Sequence, residues 1–169
     1  MRLIAILLLT LSSFGPASKV AAQSYQIQYR GYPIWCTAYG GVPVRIWTDA
    51  QSGAMAQQHG GGFAMAQTPT SEPVILLDLT TLNGIPVRSA FMLIYHECAH
   101  LALPIGVGVG SSVSERNADC HAILSMRSAG LVRNWQEFGE AVAYASSLPH
   151  GISSGRISAM QQCLIQSGF

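Results

Sequence analysis

The sequence predicts a single α+β domain in which an N-terminal antiparallel sheet is followed by four helices. Three observations lead to this fold class. The first part of the chain holds short segments rich in β-branched and aromatic residues, which are typical of strands. The second half holds longer segments that begin at cap residues and end near glycine or proline, which are typical of helices. The 169 residues, 49% of them hydrophobic and 10% charged, suffice for one core.

The first 22 residues are interpreted as a signal peptide, which leaves residues 23–169 as the single mature domain. Arg2 supplies a positive start, an apolar run follows, and Val20-Ala21-Ala22 is typical of a cleavage site. The apolar run is far shorter than the ~20 residues of a membrane helix. Loss of Arg2 and Lys19 leaves the mature chain nearly neutral, so nucleic acid and membrane surfaces are not expected as partners. We expect an exported protein, periplasmic or secreted, without a membrane span.

Three strands are expected directly after the leader, and a fourth directly before the first helix. A Tyr39-Gly40-Gly41 turn would join the second and third strands into a hairpin, because glycine tolerates the backbone conformation of tight turns. A link rich in glycine and glutamine follows, and its His59 is interpreted as a turn residue rather than a ligand. The four expected strands cover residues 25–30, 34–38, 42–47 and 73–79.

Four helices are expected in the second half of the chain. The first would begin near Ser89 and end at Leu103-Pro104, because proline cannot continue a helix. A glycine-rich reversal follows, and Ser114 is expected as the N-cap of the second helix. Asn134 and Glu137 form an N-x-x-E cap for the third. The second, third and fourth helices are expected over residues 114–129, 135–148 and 154 to about 166.

The segment His96-Glu97-Cys98-Ala99-His100 has the H-E-x-x-H pattern on the first of these helices. Histidines four residues apart lie one helical turn apart on the same face, where both rings can bind one zinc ion. Glu97 lies beside them and could take a proton from a water molecule and hand it to a leaving amine. The motif therefore indicates hydrolysis, most simply of a peptide bond.

A third ligand is expected fifteen residues beyond the second histidine. Catalytic zinc takes three protein ligands and keeps one position open, and Glu115 can be the third ligand. Asp119 lies one helical turn later and can accept a hydrogen bond from the second ring nitrogen of a ligating histidine. The alternatives are a helix-dipole carboxylate for Glu115 and an ordinary exposed acid for Asp119.

With these residues the sequence resembles the gluzincins, zinc peptidases that combine H-E-x-x-H with a downstream glutamate ligand. The E-x-x-A-D form from Glu115 to Asp119 is similar to that of the CAAX prenyl protease and heat-shock membrane protease group. That group also carries His-Pro-x-x-x-x-Arg, and His150 and Arg156 keep this spacing, with Gly151 in place of the proline. The resemblance implies a small zincin-like domain, here without the membrane spans of that group.

Further roles follow from the resemblance, which covers residues 73–157. His150 would approach the developing oxyanion and Arg156 would support the site; the alternatives are a loop histidine and a helix-surface arginine. The strand at Val74-Ile75-Leu76-Leu77 would pair through its free edge with an extended substrate, and the alternative is a buried strand without a free edge.

The four cysteines indicate two disulfides in an exported chain. Cys98 points about 200° around the helix from both histidines of the motif, so it is not expected to bind the metal. Cys120 follows Asp119 and also lies off the metal-facing direction. The pairing Cys36 with Cys98 and Cys120 with Cys163 is slightly favoured because it closes the shorter loops, although three pairings are possible.

The expected function is zinc-dependent hydrolysis of peptide bonds outside the cytosol, with one zinc ion per chain and a peptide or protein as substrate. The expected ligands are His96, His100 and Glu115, with Glu97 as the base. Two alternatives stay open: an exported binding domain stabilised by zinc but without catalysis, and an amidase that cleaves a non-protein amide such as cell-wall peptide. An intact Glu97 favours an enzyme, since a structural zinc site needs no base.

Overall fold

The computed structural model describes residues 23–48, 51, 54–55, 64–67, 72–104, 112–147 and 151–169. The expected signal peptide, His59 and His150 lie outside these residues. The described residues form an α+β fold, which confirms the predicted class. The strands are β1 (Gln23–Ser24), β2 (Ile27–Tyr29), β3 (Tyr32–Ile34), β4 (Thr37–Ala38), β5 (Val42–Pro43), β6 (Arg45–Trp47), β7 (Ala64–Gln67) and β8 (Val74–Leu77). The helices are α1 (Leu79–Asn83), α2 (Val87–Ala102), α3 (Ser112–Ser128), α4 (Trp135–Ser147) and α5 (Ser154–Gln166).

The largest sheet has four strands in the order β1-β6-β8-β7. β1 pairs with β6 and β7 pairs with β8 in antiparallel fashion, whereas β6 and β8 are parallel. All four residues of β8 are buried, as expected for a central strand with both faces covered. The sheet is therefore mixed, and its parallel pair was not predicted.

The expectation that Val74-Ile75-Leu76-Leu77 offers a free edge to substrate is wrong. This segment is β8, and its backbone pairs with β6 on one side and β7 on the other. Among the described strands, β7 lies at the edge of the sheet, and it also packs against α2. Any strand addition on this side of the sheet therefore belongs to β7.

Two small antiparallel hairpins precede the sheet strand β6. β4 and β5 pair across Tyr39–Gly41, in which Gly40 and Gly41 have positive φ angles of 80° and 83°, so the predicted hairpin turn is confirmed. β2 and β3 pair across Arg30-Gly31, which was not predicted as a turn. Arg30 has a φ of 49°, and its guanidinium donates hydrogen bonds to the carbonyls of Leu82 and Asn83.

The helix ends follow local capping. The Asn134 side chain accepts a hydrogen bond from the Glu137 amide, and the Ser153 hydroxyl accepts one from the Arg156 amide. Gly130, with a φ of 72°, lies just beyond α3, where such a conformation ends many helices. Ser114 is not the N-cap of α3, because the helix already begins at Ser112 and Ser114 is buried inside it.

The short helix α1 was not predicted. Asp78 caps it by accepting hydrogen bonds from the amide and the hydroxyl of Thr81, at 3.1 Å and 2.6 Å. Five residues are too few for a helical hydrophobic period to be visible in the sequence.

α2 lies at the centre of the core and carries the H-E-x-x-H segment. Phe91 and Ile94 are fully buried, and the helix packs against α3 and α4. Arg88 forms ion pairs with Glu137 and Glu140 of α4, both at 2.6 Å. Core packing and these ion pairs thus hold α2 against α4. No helix in the described part of the chain has the length and apolarity needed to cross a bilayer.

Both predicted disulfides form, with the favoured pairing. Cys36 pairs with Cys98 and connects α2 to the segment between β3 and β4. Cys120 pairs with Cys163 and connects α3 to α5. All four cysteines are therefore disulfide-bonded, and none has a free thiol that could bind a metal ion.

We expect the purified protein to resist thiol alkylation under denaturing conditions unless a reductant is added. Each disulfide removes two hydrogen atoms, so the intact mass should be lower by about 4 Da than that of the reduced chain. Mass spectrometry with and without reduction measures both quantities. Labelling of Cys98 and Cys120 in protein recovered from an oxidising compartment would contradict the pairing.

Candidate metal centre

His96 and His100 present their rings to one point on the exposed side of α2. Their Nε2 atoms lie 3.0 Å apart, and the ring planes are nearly perpendicular. This is the arrangement expected from two histidines one helical turn apart. The side chains of His96 and His100 are 12% and 19% exposed, so the point that they face is reachable from solvent.

Glu115 approaches the same point from the first turn of α3. Its two carboxylate oxygens lie 3.3 Å from His96 Nε2 and 3.4 Å from His100 Nε2. Ligands of tetrahedral zinc at ~2.0–2.1 Å lie about 3.3 Å from one another. The separations in this group are close to that value, so His96, His100 and Glu115 could hold a metal ion.

Asp119 contacts the ring nitrogen of His96 that does not face the other two residues of the group. Its carboxylate is fully buried, and Oδ1 lies 2.9 Å from His96 Nδ1. A proton held on Nδ1 by this carboxylate leaves the Nε2 lone pair of His96 free for a metal ion. Asp119 lies one turn after Glu115 on α3, so one helix supplies both carboxylates.

Arg156 of α5 completes the arrangement. Its guanidinium contacts both oxygens of Asp119, with Nε 2.5 Å from Oδ2 and Nη2 2.7 Å from Oδ1. Nη2 also lies 3.1 Å from Glu115 Oε2. The guanidinium therefore fixes both carboxylates of α3, a fork geometry that lysine could not provide. The resemblance placed Arg156 at the site because of its spacing from His150. Its contact with Glu115 could not be predicted from the sequence.

The charges of this group shift its protonation. Burial disfavours the charged form of His96, but the contacts of its ring nitrogens with the carboxylates of Asp119 and Glu115 outweigh burial and raise its pKa to about 9. His100 and His96 together hold the pKa of Glu115 far below its usual range. Burial raises the pKa of Asp119, and the contacts with His96 and Arg156 lower it by more. Without a metal ion, His96 therefore carries an additional proton, which a bound metal ion would replace.

We expect metal affinity to rise about tenfold per pH unit between pH 7 and about 9, where it should level off. In this range one proton on His96 must leave when a metal ion binds, because the pKa of His96 is about 9. Competition with a chelator of known pH-dependent affinity, repeated at several pH values, gives the slope. Asp119→Asn serves as the comparison, since without that carboxylate the levelling should begin at a lower pH. An affinity that does not change with pH would contradict the shift.

Glu97 is half-buried on α2 beside His96, close enough for its charge to contribute to the raised pKa of that histidine. Cys98 faces away from the ligands and is bonded to Cys36, as predicted from its helical direction. His150 belongs to the residues that the structure does not describe, so its role stays a prediction. The described site thus contains the three expected ligands, the expected base, Asp119 and Arg156.

Comparisons with protein-family models, with curated proteins and with solved structures find no match to this chain.

Proposed function

We propose that the protein is a zinc-dependent peptidase of gluzincin type that acts outside the cytosol. The observation that carries the proposal is the three-ligand group of His96, His100 and Glu115, which is partly exposed and is supported by Asp119. Structural zinc sites are closed by four protein ligands, whereas catalytic sites hold three and leave one position open. Among the described residues the group has three ligands with the Glu97 carboxylate beside them, an arrangement that suits catalysis better than stabilisation.

The residues of the chain supply most of the chemistry. A zinc ion bound by this group would polarise the substrate carbonyl and lower the pKa of a water molecule toward ~7. Glu97 accepts the proton of the attacking water and passes it to the amine as the peptide bond breaks. Asp119 holds His96 in the tautomer that binds metal, and Arg156 holds both Asp119 and Glu115. His150 would donate to the developing oxyanion, as the resemblance implies.

The edge strand β7 is the expected place for the substrate backbone. It lies at an edge of the four-stranded sheet and packs against α2, the helix that carries Glu97. An extended peptide added to this edge would run along the metal-binding helix. The resemblance suggested that β8 pairs with the substrate backbone, but β8 is a central strand of the sheet. We assign this role to β7 instead.

The proposal is tested by the activity of the purified mature protein on a denatured mixture of proteins. We expect new peptide termini that disappear with a chelator and return when Zn²⁺ is restored, with about one zinc ion per active chain by elemental analysis. Peptidoglycan treated in parallel separates a peptidase from a cell-wall amidase. Stoichiometric zinc without hydrolysis of either substrate would favour the exported binding domain, and no zinc would refute the metal site.

A further inference from the structure

The Cys36–Cys98 disulfide lines a cavity on the face of α2 opposite the metal ligands. The cavity has a volume of about 420 Å³, and both cysteines contribute to its wall together with Trp35, Tyr95 and His121. The two cysteines are only 5% and 7% exposed, so the cavity is the route by which a small molecule can approach their sulfur atoms.

Cys98 occupies the helical turn that also carries both histidines. It lies two residues from His96 and two from His100, and its bond joins this turn to Cys36 between β3 and β4. The turn therefore has a covalent anchor on one side and the ligand positions on the other. Breaking the anchor removes the covalent tie from the turn that carries both histidines.

The rest of α2 does not depend on this bond. Phe91 and Ile94 stay buried in the core, and the Ser89 hydroxyl donates a hydrogen bond to the Glu140 carbonyl of α4. The second disulfide still joins α3 to α5. Reduction at Cys36–Cys98 should thus loosen the ligand turn without unfolding the domain.

We propose that a small thiol entering this cavity reduces Cys36–Cys98 and thereby weakens metal binding, so that the site holds a metal ion more tightly under oxidising conditions. A thiolate attacks one sulfur atom, the S–S bond breaks, and a mixed disulfide forms. A second thiol attacks the mixed disulfide. The products are two protein thiols and one disulfide of the external thiol, so two electrons pass from the thiols to the protein. The inference concerns regulation of the site under Proposed function and rests on that function.

The first experiment measures zinc affinity by competition with a chromophoric chelator for three oxidised proteins: wild type, Cys36→Ser/Cys98→Ser, and the control Cys120→Ser/Cys163→Ser. We expect affinity about tenfold weaker in the first variant, within the range seen when groups that orient ligands are removed. The zinc affinity of the control should change by less than about threefold, because Arg156 still holds Asp119. Circular dichroism checks the fold of each variant. A folded Cys36→Ser/Cys98→Ser variant that binds zinc within twofold of wild type overturns the inference.

The second experiment uses the wild-type chain and does not depend on the variants folding. Zinc-loaded protein is treated with reduced glutathione, with S-methylglutathione as a control that cannot reduce, and native mass spectrometry reads thiol state and zinc together. We expect lower zinc occupancy in molecules reduced at Cys36 and Cys98 than in oxidised molecules of the same sample. Molecules reduced there that keep their zinc as fully as oxidised ones overturn the inference. Wild type that binds no zinc when oxidised refutes the proposed function instead.

A third variant tests the route. Ser125 lines the cavity on α3 and has no place in the metal site, so Ser125→Phe should narrow the entrance and leave zinc affinity unchanged. We expect Cys36–Cys98 to be reduced several-fold more slowly by glutathione in this variant, since exchange depends on access to the sulfur atoms. An unchanged rate would show that the thiol arrives by another path and would overturn the role of the cavity.

Discussion

The Glu97→Gln protein should keep its zinc ion and its fold and lose a factor of about 10² to 10⁴ in kcat, the usual contribution of a positioned acid-base group. Glutamine has the shape of glutamate but cannot accept a proton from water. Because Glu97 is not among the three ligand residues, the metal should stay bound. Steady-state kinetics on the best peptide from the substrate screen, together with zinc content, measure both effects.

Two comparisons make this result specific. His100→Ala removes a ligand and should lose the zinc together with the activity, which separates binding from proton transfer. Glu72→Gln changes a glutamate that pairs with Arg45 on the surface and should leave kcat unchanged. Wild-type activity in the Glu97→Gln protein would mean that another group is the base or that the hydrolysis comes from a contaminant.

The Arg156→Met protein should be less stable by about 3 kcal/mol and should bind zinc roughly 10 to 100 times more weakly. Asp119 is fully buried, and removing the guanidinium leaves its carboxylate with His96 as its remaining charged partner among the described residues. Glu115 loses its contact with the same guanidinium. Methionine keeps much of the side-chain volume, so the loss reports the charge rather than a cavity. Denaturant unfolding of the metal-free protein and chelator competition provide the two values.

A matched control lies on the neighbouring helix. Arg116 is exposed on α3, and its guanidinium contacts only the Ser112 carbonyl among the interactions that we describe, so Arg116→Met should change stability by less than about 0.5 kcal/mol. The double variant Asp119→Asn/Arg156→Met should recover part of the lost stability, because no buried carboxylate then lacks its arginine. Equal stability of Arg156→Met and wild type would show that the ion pair contributes nothing to the fold.

Two parts of the candidate metal-binding group could be predicted because each depends on the geometry of a single helix. Helical spacing alone brings His96 and His100 together on α2. Glu115 and Asp119 are likewise one helical turn apart on α3. Cys98 could be excluded as a ligand for the same reason. The disulfide pairing was only favoured by loop length, and the structure supplies the reason for it, since packing of α2 against the β3–β4 segment brings Cys36 to Cys98.

Features that depend on distant parts of the chain were missed. The parallel pairing of β6 with β8 joins segments separated by a long stretch of sequence, and strand propensity carries no information about partner or direction. This pairing places β8 in the middle of the sheet. That both edges of β8 are paired could not be inferred from its apolar sequence. The turn at Arg30-Gly31 was missed because arginine rarely adopts a positive φ angle, and here its contacts with the end of α1 hold it there.

The attachment of α5 to α3 has a consequence for the order in which the protein matures. Ribosomes deliver His96, His100 and Glu115 well before Arg156 and Cys163, which come near the end of the described chain. Until those last residues arrive, Asp119 lacks its guanidinium and α3 lacks its covalent tie. The candidate metal centre therefore acquires all of the contacts described above only after the chain has been synthesised through Cys163.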